Sequence, residues 1–397
     1  PVFRDITIRF EKPQDITSVV IDRTRVWGAI SSSVSKMRGL NTLLFREFNF
    51  IDAFAQDFYN SSIRSLTLSM LGNIMESGIP LWILNSNFLT TLTLADSVNL
   101  SGSAITKRLS EINKLKETLI NLNLQGTGIN YVLPPEFGEL YKMQGLTLTG
   151  NNSTALRFPT DVSGLTALDT LYIQNTRMPF TEIERIIQGI PTLNWIRMVD
   201  CAYNVDYDFA EDNYTVKSIR IGFQRWNNGA VPSFISRLKA LEALYIVGEN
   251  ISTIYANLTS YGDFSACTEL NYLNIGRMSH FTTEIPAWFS SLTKLNQISF
   301  FASFQNSGGI NSFVNNCYDF IIANASMTVG DTQFRNMTMN GFGTNASDQT
   351  ASVRPSGTYQ EPVGFVLGSN NGSPASPMEK IWVLTNQYGH TWTVKRV

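Results

Sequence analysis

Apolar residues return along this chain in the order apolar-x-x-apolar-x-apolar, and copies of that phrase recur about every 25 residues. They begin at Ile16, Leu40, Ile63, Leu89, Leu119, Met143, Leu168, Leu193, Val216, Leu241, Leu270, Leu295 and, in weaker form, Cys317. Leu168-Asp169-Thr170-Leu171-Tyr172-Ile173 is a clear example. Alternation in the second half of each copy predicts a short strand with one face inward and one outward. A fixed period of roughly 20–30 residues carrying one strand each predicts a solenoid, because one unit cannot bury its own apolar face and must stack on its neighbours.

A second register runs between the strands. Pro80, Pro134, Pro159, Pro232 and Pro286 each stand nine residues before the first apolar residue of the next copy. Three residues after each proline comes Ile83, Phe137, Val162, Ile235 or Phe289, and six after it Leu140, Leu165, Leu238 or Leu292, with Ser86 the exception. Apolar residues three apart behind the fixed φ of a proline predict one turn of α- or 3₁₀-helix. Each repeat therefore reads as strand, turn, short helical segment and return.

The phrases Leu133-Pro134-Pro135-Glu136-Phe137-Gly138-Glu139-Leu140 and Ile285-Pro286-Ala287-Trp288-Phe289-Ser290-Ser291-Leu292 resemble the proline-bearing repeats of plant-type and bacterial leucine-rich repeat proteins. The resemblance covers residues 16–322. It implies an α/β horseshoe with one long parallel sheet and short helical or 3₁₀ convex segments. The family's ladder asparagine stands cleanly only at Asn151; its equivalents here are Thr127, Thr176, Cys201, Ser97, Ser303, Gln224, Leu71 and Met278, so the repeats are divergent.

Three segments are expected. Residues 1–39, with strand-like runs at Phe3–Phe10 and Ile16–Ile21, read as an N-terminal cap over the first sheet edge. Residues 40–322 are the repeat array. Residues 323–397 break the period and are rich in Gly, Ser, Asn and Thr. Short β-like runs at Gly364–Leu367, Ile381–Leu384 and Thr391–Val394, the last two spaced like a hairpin, predict a β-type C-terminal cap or attachment module. Ser356-Gly357-Thr358-Tyr359-Gln360-Glu361-Pro362 and Asn386-Gln387-Tyr388-Gly389-His390-Thr391-Trp392 resemble C-terminal segments of phage tail and host-surface proteins from gut bacteroidetes communities.

Hydrophobic content of 43%, only 16% charged residues and a net charge of −2 describe a folded chain without electrostatic pull toward nucleic acid or a membrane surface. No run of 18 apolar residues is present, so membrane insertion by a spanning helix is not expected. The chain opens Pro1-Val2-Phe3-Arg4 with no visible signal peptide, which leaves open a processed chain, a fragment of a longer one, or a protein never exported by a signal. Cys201, Cys267 and Cys317 are an odd, scattered set and read as buried reduced thiols. The disulfide-capped ends usual in secreted eukaryotic members of the family have no counterpart here. The Asn-x-Ser/Thr sites at Asn60, Asn213, Asn257 and Asn336 follow from composition.

Catalytic motifs are lacking. His280 and His390 stand in no paired-ligand spacing, and neither a Gly-x-Ser-x-Gly elbow nor a Walker loop occurs. Gly341-Phe342-Gly343 precedes no predicted helix. The acidic run Asp206, Asp208, Glu211 and Asp212 could offer oxygen ligands to Ca²⁺ but lacks the loop glycine and alternation of a calcium motif, and reads as a solvated loop. No enzyme, no cofactor and no metal are expected. What remains is a surface. Outward positions on successive strands read Thr67, Thr93, Asn123, Thr147, Tyr172, Arg197, Arg220, Tyr245, Asn274 and Ser299, with Trp195 and Tyr272 one column earlier and Phe301 one column later. Tyr172, Trp195, Arg197, Arg220, Tyr245 and Tyr272 form the candidate ligand-binding patch, because Trp, Tyr and Arg dominate interface energetics and aromatic faces stack on sugars. The same residues also favour strands for cross-strand packing alone. The expected function is non-enzymatic recognition or adhesion toward a protein or cell-surface glycan, extracellular on a virion appendage or bacterial cell surface. The alternative is a structural spacer or assembly protein of a phage tail or baseplate, within a larger assembly or homo-oligomer.

Overall fold

The computed structural model describes residues 12–22, 34, 36–46, 62–69, 79–95, 108–129, 132–150, 156–176, 178–199, 207–223, 231–248, 256–258, 262–276, 278–281, 284–299, 307–324, 338–340 and 355–392. The chain divides into two compact units, Pro1–Trp195 and Ile196–Val397.

In the first unit, strands β1 (Ser18–Asp22), β2 (Thr42–Arg46), β3 (Ser65–Ser69), β4 (Thr91–Ala95), β5 (Asn121–Ile129), β6 (Gly145–Gly150) and β7 (Thr170–Gln174) each pair in parallel with the next. The register is the one the repeats dictate: Thr42 faces Ser65, Ser65 faces Thr91, Thr91 faces Asn121, Asn121 faces Gly145 and Gly145 faces Thr170. A one-residue slip anywhere would turn every leucine outward. Instead Leu66, Leu68, Leu92, Leu94, Leu122, Leu124, Leu146, Leu148, Leu171 and Ile173 are at most 1% exposed.

Proline starts the return segments. Helix α1 (Leu81–Leu84) follows Pro80, and a 3₁₀ turn at Pro135–Glu139 follows Pro134. Pro159 departs from expectation: Asp161–Leu165 is a non-helical turn in which Leu165 N–H donates to Val162 O, though Val162 and Leu165 are buried as predicted. The backbones are close there, since a Cβ on Gly164 would lie 2.2 Å from Gly138 O and one on Gly138 would lie 2.6 Å from Asp161 O. Helix α2 (Phe180–Gly189), opened by Pro179, buries Ile183, Ile186 and Ile187. Its Glu182 carboxylate is buried and accepts from Phe158 N–H at 2.7 Å, while Arg185 pairs with it at 2.7 Å and donates to Thr160 O at 2.9 Å. Buried Thr176, at an expected ladder position, accepts from Leu156 N–H at 3.2 Å and so carries out the inter-turn bonding of an asparagine. Asn151, Cys201, Ser97, Leu71, Gln224 and Ser303 lie outside the described residues.

β8 (Trp195–Val199) begins on the last residue of the first unit. In the second unit, β9 (Ser218–Phe223), β10 (Ala243–Gly248), β12 (Tyr272–Gly276) and β14 (Gln297–Ser299) continue the same parallel pairing over buried Ile219, Ile221, Leu244, Ile246, Leu273 and Ile275. β11 (Ala256–Leu258) and β13 (Met278–Phe281) form a separate, small parallel pair. The 3₁₀ turns Ser233–Arg237 and Ala287–Ser291 follow Pro232 and Pro286.

Two sequence expectations fail toward the C-terminus. Cys317 does not open a strand: it lies in helix α3 (Ser307–Asn324), where Ile310, Phe313, Val314, Cys317 and Ile321 fall three or four apart and are buried on one face. Ile381–Leu384 is likewise no strand, and its hairpin with Thr391 does not exist. The run lies in helix α4 (Pro377–Asn386), which packs on α3, with Lys380 Nζ 5.1 Å from the Tyr318 ring centroid. The β character of the segment survives elsewhere. β15 (Thr338–Asn340) pairs in parallel with β14, and β18 (Thr391–Trp392) with β15, so the ladder runs on past the last repeat. β16 (Phe365–Val366) and β17 (Asn370–Asn371) form a small antiparallel hairpin. The architecture is an α/β leucine-rich repeat solenoid with a small β-containing C-terminal segment.

Candidate recognition surface

Alternation along each strand sends one set of side chains into the core and the other outward, and the parallel register stacks the outward set into columns about 4.8 Å apart. In the first unit Thr67, Thr93, Asn123, Thr147 and Tyr172 stand opposite one another on β3 to β7. In the second, Arg220, Tyr245, Asn274 and Ser299 stand opposite one another on β9, β10, β12 and β14.

Three of the six predicted patch residues come together in the second unit. Tyr245 faces Arg220 on one side and Asn274 on the other, and its ring centroid lies 5.0 Å from that of Tyr272 at an interplanar angle of 45°. Such tilted aromatic pairs contribute about 0.5–1.5 kcal/mol beyond area burial. Asn274 Nδ2 donates to the Tyr272 hydroxyl at 2.9 Å and holds that ring in place. Partial burial, and then the neighbouring Tyr272, raise the Tyr245 hydroxyl above its ordinary pKa, with Arg220 pulling the other way. Tyr245 is therefore neutral at pH 7 and presents its ring face and hydroxyl rather than charge. Arg197, on β8 of the same unit, is half-buried. Tyr172 and Trp195 belong to the first unit; the Tyr172 hydroxyl donates to Gln174 Oε1 at 2.9 Å, and Trp195 is 36% exposed, unusually open for an indole. Asn274 was legible in the outward column but carried no aromatic or charge signal to mark it. Phe301 lies outside the described residues.

The other sequence candidates resolve into packing. Arg237 forks onto Asp208 at 3.0 and 2.7 Å, and Asp212 lies 3.6 Å from both Arg237 and Lys239, so side-chain cations face these carboxylates. The hydrogen bond from Arg237 holds Asp208 below its ordinary pKa. Asp206 lies outside the described residues. Asn213 is buried and its Oδ1 accepts from Thr215 and Val216 N–H, which leaves no exposed amide there for a glycan. His390 is buried within the C-terminal segment. Sequence reasoning missed an exposed apolar turn: Val363, Val366 and Leu367 are 86%, 53% and 63% exposed. Phe365 packs edge-on to Trp382 at 4.8 Å, and Gly368 N–H donates to Gln387 Oε1, so the turn is anchored at its base. Among the described residues no helix is long and apolar enough to cross a membrane.

No protein-family model matches the sequence, and no curated protein matches it. Among solved structures the chain is similar to an internalin from Listeria monocytogenes, with 17% identity over 77% of this chain and 80% of that one and a TM-score of 0.46. It is also similar to a leucine-rich repeat protein of Leptospira interrogans, with 16% identity over 77% and 78% of the two chains and a TM-score of 0.43. A plant peptide hormone receptor in complex with RGF2 matches with 18% identity over 76% of this chain and 42% of that one, at a TM-score of 0.39.

Proposed function

We propose that this protein is a non-enzymatic recognition or adhesion module that binds a protein or cell-surface glycan through the outward face of its parallel sheet, from a virion appendage or a bacterial cell surface. The Tyr245–Tyr272 pair beside Arg220 carries the reading. A pair of aromatic rings in contact next to a guanidinium is the composition of an interface hot spot, and such anchors commonly contribute about 2 kcal/mol or more each. The test is saturable binding of the labelled protein to a panel of intact gut bacterial cells. Tyr245→Ala with Tyr272→Ala should weaken binding at least about tenfold, the equivalent of about 1.4 kcal/mol, with the circular dichroism spectrum unchanged. Ser65→Ala with Thr67→Ala should bind as the parent does. Equal losses from both pairs would move the site elsewhere.

The exposed turn at Val363, Val366 and Leu367 favours the alternative, a structural spacer or assembly protein. A chain that binds no cell in the panel, and whose self-association disappears in Val366→Ser with Leu367→Ser, would have that role instead.

A further inference from the structure

In the first unit, the column Thr42, Ser65, Thr91, Asn121, Gly145 and Thr170 loses its side chain at one place, Gly145. Around it lies a notch of about 320 Å³ in the outward face of β4 to β7. Asn121 leans into the room this creates, because a Cβ on Gly145 would lie 2.6 Å from Asn121 Oδ1. The notch wall carries the amides of Asn121, Asn123 and Gln144, the hydroxyls of Thr147 and Thr170, and the Asp169 carboxylate. Thr170 Oγ1 lies 3.2 Å from Asp169 Oδ2, and Asn123 Oδ1 accepts from Gln125 N–H at 2.8 Å, so both side chains are already oriented.

We propose that this notch binds one ring of a neutral hexopyranose. Its volume stands at the low end of small-ligand sites, about 300–1,000 Å³, which suits a sugar ring and not a folded partner. The lining offers carboxylate and amide oxygens to accept from hydroxyls, and amide N–H and threonine O–H groups to donate back. Neither Lys nor Arg lines the notch while Asp169 does, which disfavours phosphates, sialic acids and other anions. The side chains at its mouth are polar, which disfavours an apolar ligand. Leu92, Leu122 and Leu146 also line the notch and offer apolar surface to the C–H face of a sugar. The site lies wholly in the first unit and does not rest on the Tyr245–Tyr272 patch.

The experiment titrates the full chain with the methyl glycosides of glucose, mannose, galactose and N-acetylglucosamine, read by saturation-transfer NMR and calorimetry. At least one should bind saturably with a Kd of 10 mM or tighter. Asn121→Ala with Asp169→Ala, both solvent-exposed, should weaken it at least tenfold, and Gly145→Leu, which fills the notch, should abolish it. Tyr245→Ala with Tyr272→Ala should leave it unchanged, so this site and the patch fail independently. The proposal is overturned if none of the four glycosides reaches 10 mM, if the notch variants bind as the parent does, or if penta-alanine binds more tightly than every glycoside.

Discussion

Cys267 and Cys317 lie at 0% and 4% exposure, and burial pushes each thiol up to about 12. Cys267 is further held by an S–H donated to Ile235 O at 3.1 Å. The thiolate is the reactive form, so neither should react near neutral pH in the folded chain. In a Cys201→Ala variant, a thiol reagent at pH 8 should label no cysteine before unfolding and both afterwards; a fast native reaction would contradict the burial. The pH dependence follows in sign. Both groups are acids whose folded pKa is raised above the unfolded value of about 8.5, so their contribution is full below that pH and is lost as pH climbs toward 12. Denaturant midpoints should therefore fall between pH 9 and 11, and less steeply in Cys267→Ala than in the parent. At this scale the sequence showed the buried character of both residues but not the helix that holds Cys317, because Cys317, Phe320 and Ile322 match the strand phrase while Cys317 and Ile321 match a helix face.

Between elements, a tight backbone approach is Gly164 against Gly138, adjacent repeats meeting where neither has a side chain. The atom that a new Cβ would strike is a carbonyl, which cannot swing aside as a flexible side-chain end would. Gly164→Ala should cost about 1–3 kcal/mol by overpacking, read as a lower denaturant midpoint with unchanged slope. Gly145→Ala, whose Cβ meets only the mobile amide of Asn121, should be near neutral in the same assay. The strands and their register were legible because leucines two apart leave one pairing that buries them all, and the proline turns because a fixed φ acts locally. Helix α4 was misread from the apolar run Ile381–Leu384, in which Ile381 and Val383 are β-branched. Yet its start was written just upstream: Ser376-Pro377-Met378-Glu379 has an N-cap serine, proline at the first helical position and glutamate three residues on. Ser376 Oγ accepts from Glu379 N–H at 3.3 Å, as that phrase prescribes. The candidate surface was half legible. Alternation named its columns, but which rings touch depends on register plus a fixing hydrogen bond such as Asn274 to Tyr272, and the notch depends on an absent side chain, which no search for chemical groups detects.

For the molecule as a whole, stability should be distributed along the chain. In a repeat ladder each strand contacts mainly its sequence neighbours, so the energy is a sum of unit and nearest-neighbour terms with no single core to lose. The pairing shows that locality: β5 bonds to β4 and β6, and β10 to β9 and β12. Leu122, 1% exposed in β5, and Leu244, 0% exposed in β10, are equivalent core positions in the two units. Leu122→Ala and Leu244→Ala should each cost about 2–5 kcal/mol locally, by lost transfer energy and the cavity left behind. Native-state hydrogen exchange should then divide the chain. Leu122→Ala should lower protection of the β4, β5 and β6 amides while those of β9, β10 and β12 keep parent values, and Leu244→Ala should do the reverse. An equal fall across both sets from either variant would mean that the ladder opens as one cooperative block, and the nearest-neighbour account would have to be abandoned.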